Sequence, residues 1–83
     1  MPLYMDIHKK VDGATAEAVA SAHLKDLETQ EKYGVKYQKY WFDEATGTIF
    51  CLVEAPTKEA AERVHREAHG LAADEIHEVQ ENC

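Results

Sequence analysis

The chain has two cysteines, two prolines, four scattered glycines and one serine, and no apolar run approaches the ~18 residues of a membrane span. Each scarcity excludes something. Two thiols are too few for a disulfide framework, so a reducing compartment is expected. Cys51, in an apolar stretch, reads as a small buried residue, and Cys83 as an exposed tail thiol. Scattered glycines make no phosphate-binding loop. Ser21 lies inside a helical stretch with no nucleophile elbow around it. Basic residues are also scarce, nine Lys and Arg against sixteen Asp and Glu, for a formal charge of -7. That balance argues against nucleic-acid or anionic-membrane partners, which need a basic surface. The stretch Met1–Asp6 carries an acid and no apolar segment typical of a leader, so a cytoplasmic location is expected.

What remains is a chain of 83 residues, read as one domain over 1–83, with 45% hydrophobic and 30% charged residues. Leu3 to His8 alternates as a strand does, with Leu3, Met5 and Ile7 expected on the core side and Tyr4, Asp6 and His8 opposite. Thr15 is an N-cap before an Ala-, Leu- and Glu-rich helix from Ala16 to Tyr33, closed by Gly34. Val35–Phe42 and Thr48–Glu54 are strands joined by the Asp43–Gly47 loop. Thr57 opens a second helix reaching His69, and Glu75–Gln80 reads as a last short strand. The order β-α-β-β-α-β predicts an α+β, ferredoxin-like sandwich with both helices on one face of an antiparallel sheet. The other face is expected to carry Tyr4, the hairpin aromatics and one side of Thr48–Glu54. Such a patch predicts a homodimer stacked through the open sheet face, in the manner of a dimeric α/β barrel.

Five histidines in so short a chain are the main chemical signal. His65 and His69 stand at i and i+4 with Val64, Ala60, Ala61 and Ala68 facing the core beside them, a spacing that lets two imidazoles reach one metal ion. Arg66 replaces the glutamate of a metalloprotease HExxH motif. In a ferredoxin-like sheet the first strand neighbours the third, so Cys51 or Glu54 could approach His8 and complete a site. Such a donor set suits zinc, nickel or copper. Neutral imidazoles bind metal, so affinity is expected to fall as pH drops through about 6.5. On the first helix the apolar sector reads as Ala16, Val19, Ala20 and Leu27, with Leu24 at its edge. His23, Asp26 and Gln30 form a polar seam along it. A second reading follows: a pocket lined by His23, Asp26, Gln30, Tyr40 and Trp41, in which His23 is an acid or base oriented by Asp26. A cofactor-free oxygenase or isomerase would fit that pocket.

The stretches Ala22–Leu27, Tyr40–Asp43, Phe50–Pro56 and Val64–Gly70 together resemble the small bacterial nickel-binding proteins. The likeness covers nearly the whole chain. It implies a ferredoxin-like homodimer that binds Ni2+, with a role in nickel sequestration, and the chain is read as a non-catalytic metal binder. The resemblance names the metal without fixing which residues hold it.

Overall fold

The computed structural model describes residues 1–82; Cys83, expected as an exposed tail thiol, lies outside the described residues. Strand β1 (Leu3–His8) leads to helix α1 (Ala16–Thr29), which tightens into a 3-10 turn over Gln30–Tyr33. The hairpin β2 (Lys36–Asp43) and β3 (Thr48–Glu54) follows, then α2 (Lys58–Ala68) and β4 (Glu75–Val79). The sheet is antiparallel in the order β2-β3-β1-β4. This is the ferredoxin-like α+β arrangement expected from the element order.

The helix starts follow from hydroxyl caps. Thr15 Oγ1 accepts from the Ala18 N–H and Thr57 Oγ1 from the Ala60 N–H, each at 3.1 Å. Gly34 closes the first helical stretch in the left-handed region at φ 66, as its position predicted. The α-helix itself ends four residues earlier than Tyr33, because the last turn closes with 3-10 geometry.

Which strand faces meet the helices differs from expectation. Tyr4, Asp6 and His8 are the buried side of β1, whereas Leu3, Met5 and Ile7 are only half-buried. Their partners on β3 agree: Tyr4, Asp6 and His8 pair with Val53, Cys51 and Ile49, all buried. So the polar row of β1 lies under the helices, and the apolar row lies on the open face. Tyr4 is in the core, not on the open face. With Leu3, Met5 and Ile7, that open face carries Phe50, Leu52, Trp41 and Val79.

A β-bulge at Gln38 breaks the alternation of β2. It lets Tyr37 and Tyr40, three apart, both pair with helix-side residues of β3, Val53 and Cys51. The Gln30 side chain accepts from the Tyr37 N–H at 2.8 Å beside this irregularity. Trp41 consequently points away from the helices and is 47% exposed. On α1 only Val19 and Asp26 are buried, while Ala16, Leu24 and Leu27 face outward. The inward stripe is thus Val19, His23 and Asp26, and the expected Ala16–Leu27 sector is not the packed one.

The hairpin loop is anchored through Gly47, at φ 72, whose carbonyl accepts from the Val11 N–H at 3.0 Å. A Cβ there would lie 3.3 Å from the Val11 backbone N and O, whereas at Gly13 (φ 71) it would meet nothing within 4 Å. The left-handed backbone alone costs a non-glycine residue about 1–2 kcal/mol. Gly47→Ala is therefore expected to lower the urea midpoint more than Gly13→Ala. Equal midpoints would contradict the close approach.

Candidate metal centre

The centre begins with two small residues. Ala61 and Val64 on α2 are fully buried, so the helix axis comes close to the sheet. Their neighbour His65, 1% exposed, is driven into the space between β1 and α1. Its Nε2 lies 2.9 Å from Asp6 Oδ2, and its Nδ1 lies 2.9 Å from Asp26 Oδ1. Both carboxylates are buried. Three elements far apart in sequence are thus joined through one imidazole ring.

His69, one turn on, brings Nε2 to 3.0 Å from Asp26 Oδ1 and 3.1 Å from His65 Nδ1. The Leu71 N–H donates to its Nδ1 at 3.2 Å, which leaves the His69 proton on Nε2, toward Asp26. On the other side of His65, the Tyr37 hydroxyl is 3.0 Å from Asp6 Oδ2 and 3.1 Å from the Ala61 carbonyl. His8 sets its ring edge-on to His65, with centroids 4.8 Å apart, and its Nε2 is 3.2 Å from Asp6 Oδ1. That contact is close in distance without hydrogen-bond alignment. Asp6 Oδ1 and His8 Nδ1 are buried without a hydrogen-bond partner. Buried polar atoms are normally satisfied, so two such atoms on neighbouring residues of one strand face need an explanation.

Electrostatics fix the protonation state. Burial alone would drive the His65 imidazolium to lose its proton. Asp26 and Asp6, each accepting one of its N–H groups, outweigh burial and lift its pKa to about 11. The same contacts overcome burial at the carboxylates. Asp6, facing His65 and His8, and Asp26, facing His65 and His69, are both held below the ordinary carboxylate range. Burial pushes the Cys51 thiol up to about 11, with His65 beside it opposing the shift. At neutral pH the Asp6 and Asp26 carboxylates therefore flank the His65 imidazolium, with a neutral thiol alongside.

Two donor groups of metal-ligand type result, sharing His65: Asp6, His8, Cys51 and His65, and Asp26, His65 and His69. Within each group the donor atoms lie within 4.8 Å of one another. The fold brings together four of the five residues singled out for metal, namely His65, His69, His8 and Cys51. Glu54 is not among them: it sits at the far end of β3 opposite Leu3 and bonds Gln38. His77 is exposed and pairs with Glu75. Asp6 and Asp26 are the ligand-type residues that the histidine spacing alone did not supply. Asp26 had been visible as part of a polar seam, and Asp6 as a polar alternation partner of His8.

The second pocket reading is only partly met. A cavity of about 30 Å³ lies beside the cluster, with His23, Asp26, Tyr40, Cys51, His65 and His69 among its walls. The His23 and Tyr40 rings stack there, centroids 4.7 Å apart. Gln30 is occupied by the Tyr37 backbone, and Trp41 points to the opposite sheet face. The space suits about two water molecules, not an organic substrate.

Residues 4–79 match the family described as nickel responsive protein SCO4226-like. The chain belongs to that family. The crystal structure of SCO4226 from Streptomyces coelicolor A3(2) superposes with a TM-score of 0.90 at 42% identity, covering 98% of this chain and 99% of that one. Among curated proteins nothing matches. In this SCO4226-like chain, no helix among the described residues is long and apolar enough to cross a membrane.

The shifted pKa values set a pH dependence for the metal-free protein. The raised His65 contributes stability that is full below its unfolded value of about 6.5 and is lost as pH rises toward about 11. The depressed Asp6 and Asp26 contribute stability present above about 3.9 and lost as pH falls. In chelator, the urea midpoint is thus expected to decline between pH 6 and pH 9. His65→Gln removes one partner from a buried charge cluster, a change that typically costs about 3–5 kcal/mol, and it should also flatten that decline. An unchanged slope in His65→Gln would show that another group carries the titration.

Proposed function

We propose that this SCO4226-like protein is a non-catalytic binder of a divalent transition metal, with nickel the physiological ion and sequestration its use. The ion sits among Asp26, His65 and His69. The observation that carries this reading is the shape of that triad. Asp26 Oδ1, His65 Nδ1 and His69 Nε2 form a triangle with edges of 2.9, 3.0 and 3.1 Å. These separations are those of the hydrogen bonds that join the three groups without metal, so two imidazole nitrogens and a carboxylate oxygen already stand within reach of one another, a donor set that suits Ni2+.

Charge supports the same reading. A divalent ion that displaces the Nδ1 proton of His65 adds positive charge between the Asp6 and Asp26 carboxylates. His65 then keeps its Nε2–H for Asp6, so that a carboxylate orients the ligating ring from behind. His69 must release its bond from the Leu71 N–H, because ligation through Nε2 puts its proton on Nδ1. The nickel assignment itself rests on the family description, since the donor set also accepts Zn2+ and Cu2+. The neighbouring group of Asp6, His8 and Cys51 is a second position. It is favoured by the two partnerless atoms Asp6 Oδ1 and His8 Nδ1, and there Cys51 would bind as thiolate.

The protein is further proposed to act as a cytoplasmic homodimer. Leu3, Met5, Ile7, Phe50 and Leu52 share the open sheet face, an apolar row that a second copy would cover. Leu52→Glu is expected to shift the mass in light scattering from two chains to one. A single-chain mass for the parent protein would remove the dimer from this account.

Metal binding is tested by native mass spectrometry of untagged protein with stoichiometric Ni2+, Zn2+ or Cu2+. A whole-number nickel complex that persists on dilution is expected, and Asp26→Asn and His69→Ala should each weaken it at least about tenfold, the loss of one ligand or its orientation. Displacement of the His65 proton also moves the pH window above that of a free imidazole. Affinity should rise by about tenfold per pH unit well past pH 7. Full occupancy in both variants, together with a thiolate charge-transfer band lost in Cys51→Ser, would move the ion to the Asp6 side. Graded, weak adducts alone would sink the metal reading.

A further inference from the structure

Asp6, His8, Asp26, Cys51 and His65 are buried, and only 10% of the His69 side chain is exposed. Whatever exchanges with this cluster has to pass a wall, and the small cavity beside it shows where the wall is thinnest. The inner surface of the cavity is made by His8, Asp26, Cys51 and His65, with Val19 and Ile49 as buried apolar neighbours. Its rim is half-buried Ala22, His23, Tyr40 and His69, together with Leu71, which is 42% exposed. Four of these five are held by regular structure. Ala22 and His23 lie within α1. Tyr40 pairs with Cys51 in the sheet and stacks on His23. The His69 N–H bonds the His65 carbonyl at the end of α2, at 3.0 Å. Leu71 is the rim residue that lies beyond the helices, the strands and their caps.

Leu71 stands in the connection from α2 to β4. Gly70 opens that connection at φ 78, where a Cβ would meet nothing, so the backbone is free to turn there. At the other end, the pairing of β4 with β1 begins at Glu75 opposite Ile7. Among the described residues, three hydrogen bonds hold the chain between these ends. The Leu71 N–H donates to His69 Nδ1 at 3.2 Å, and the Asp74 N–H to the Ile7 carbonyl at 2.9 Å. The Lys9 N–H donates to Asp74 Oδ2 at 2.6 Å, in an exposed position. A short, exposed segment with so few bonds belongs to the part of a fold that opens at low cost.

We infer that residues 70–74 are a lid, which lifts between Gly70 and Glu75, draws Leu71 off the cavity and admits solvent and small solutes to the cluster while the sheet and both helices stay folded. The lid is a property of the chain without metal, so the inference does not rest on the metal reading. Lifting breaks the three hydrogen bonds and uncovers the buried side of Leu71. It leaves the pairing of β1 with β4 and the body of α2 in place. Five residues uncover little surface, so the lifting is nearly indifferent to denaturant, whereas unfolding of the whole domain is not.

Cys51 reports the opening, because it is buried and forms part of the inner surface of the cavity. The probe is methyl methanethiosulfonate on full-length Cys83→Ser protein in chelator. The Cys51 thiolate attacks the divalent sulfur of the probe, forms a methyl disulfide and releases methanesulfinate. At low probe concentration the labelling rate reads the open fraction. The expected rate is flat at low urea and joins the slope of global unfolding only near the transition. Asp74→Ala removes the exposed acceptor of the Lys9 N–H and should raise the flat rate about tenfold, the loss of one hydrogen bond that the closed lid makes. Asp74→Asn keeps an oxygen at that place and should raise it less. The urea midpoint of each variant separates this rise from a general loss of stability. Labelling that follows the slope of global unfolding from zero urea overturns the inference, since Cys51 is then reached only by unfolding. A flat rate equal in the parent protein and Asp74→Ala also overturns it, since the opening then lies elsewhere on the rim.

Discussion

The structure depends on one imidazolium held between two buried carboxylates. His65 ties α2 to β1 through Asp6 and to α1 through Asp26, so a single ring joins both helices to the sheet. Around it, an apolar cluster that includes Val19, Tyr37, Val53, Ala61 and Val64 packs the helices on the sheet. α1 contributes only Val19 as a buried apolar side chain, and the core against it is small. In a chain of this size the apolar burial is modest, and polar contacts at the centre carry unusual weight. Removing any member leaves a buried charge without its partner. The cluster is costly to assemble, and a wholly apolar core of the same volume would do the structural work at least as well. Its persistence at the centre of a small domain is therefore a reason to look for chemistry there.

That chemistry follows from having more ligand-type atoms than protons to join them. Asp26 Oδ1 receives N–H groups from both His65 and His69, while Asp6 Oδ1 and His8 Nδ1 receive nothing. The distribution is uneven in the metal-free state. The proposed function makes proton and metal alternatives at the same ring nitrogen. Without metal, the proton on His65 holds the three elements together. In the proposed reading an ion is bound by surrender of that proton, which would make metal uptake a question of pH as well as of concentration.

Much of the fold was legible in the sequence, because the local signals agree with the global arrangement. Thr15 and Thr57 cap helices, Gly34 ends one, and strand alternation sets the order that makes the sandwich. The site was legible in part. The i, i+4 spacing set His65 and His69 on one stripe, and helical periodicity put Asp26 near the core. The assignment failed at β1, where apolar Leu3, Met5 and Ile7 were expected beneath the helices. Hydrophobicity marks a side chain as one to be covered, without saying by what. Here the helices cover the polar row, and the apolar row is left on the open face. Asp6 could not be linked to His65 by any spacing rule, since 59 residues separate them and only the sheet pairing brings them together. The bulge at Gln38 was equally hidden, and it decides that Tyr37 and Tyr40 share a face while Trp41 does not.

The most direct test of this account is the protonation of His65, read by nitrogen-15 NMR of its ring at pH 8 with chelator present. The account predicts an imidazolium, both nitrogens bearing protons, at a pH where a free histidine is neutral. On adding diamagnetic Zn2+, Nδ1 should lose its proton and shift as a metal-bound nitrogen, while Nε2 keeps its proton toward Asp6. A neutral His65 at pH 8 without metal, or a ring unchanged when metal is added, would contradict it.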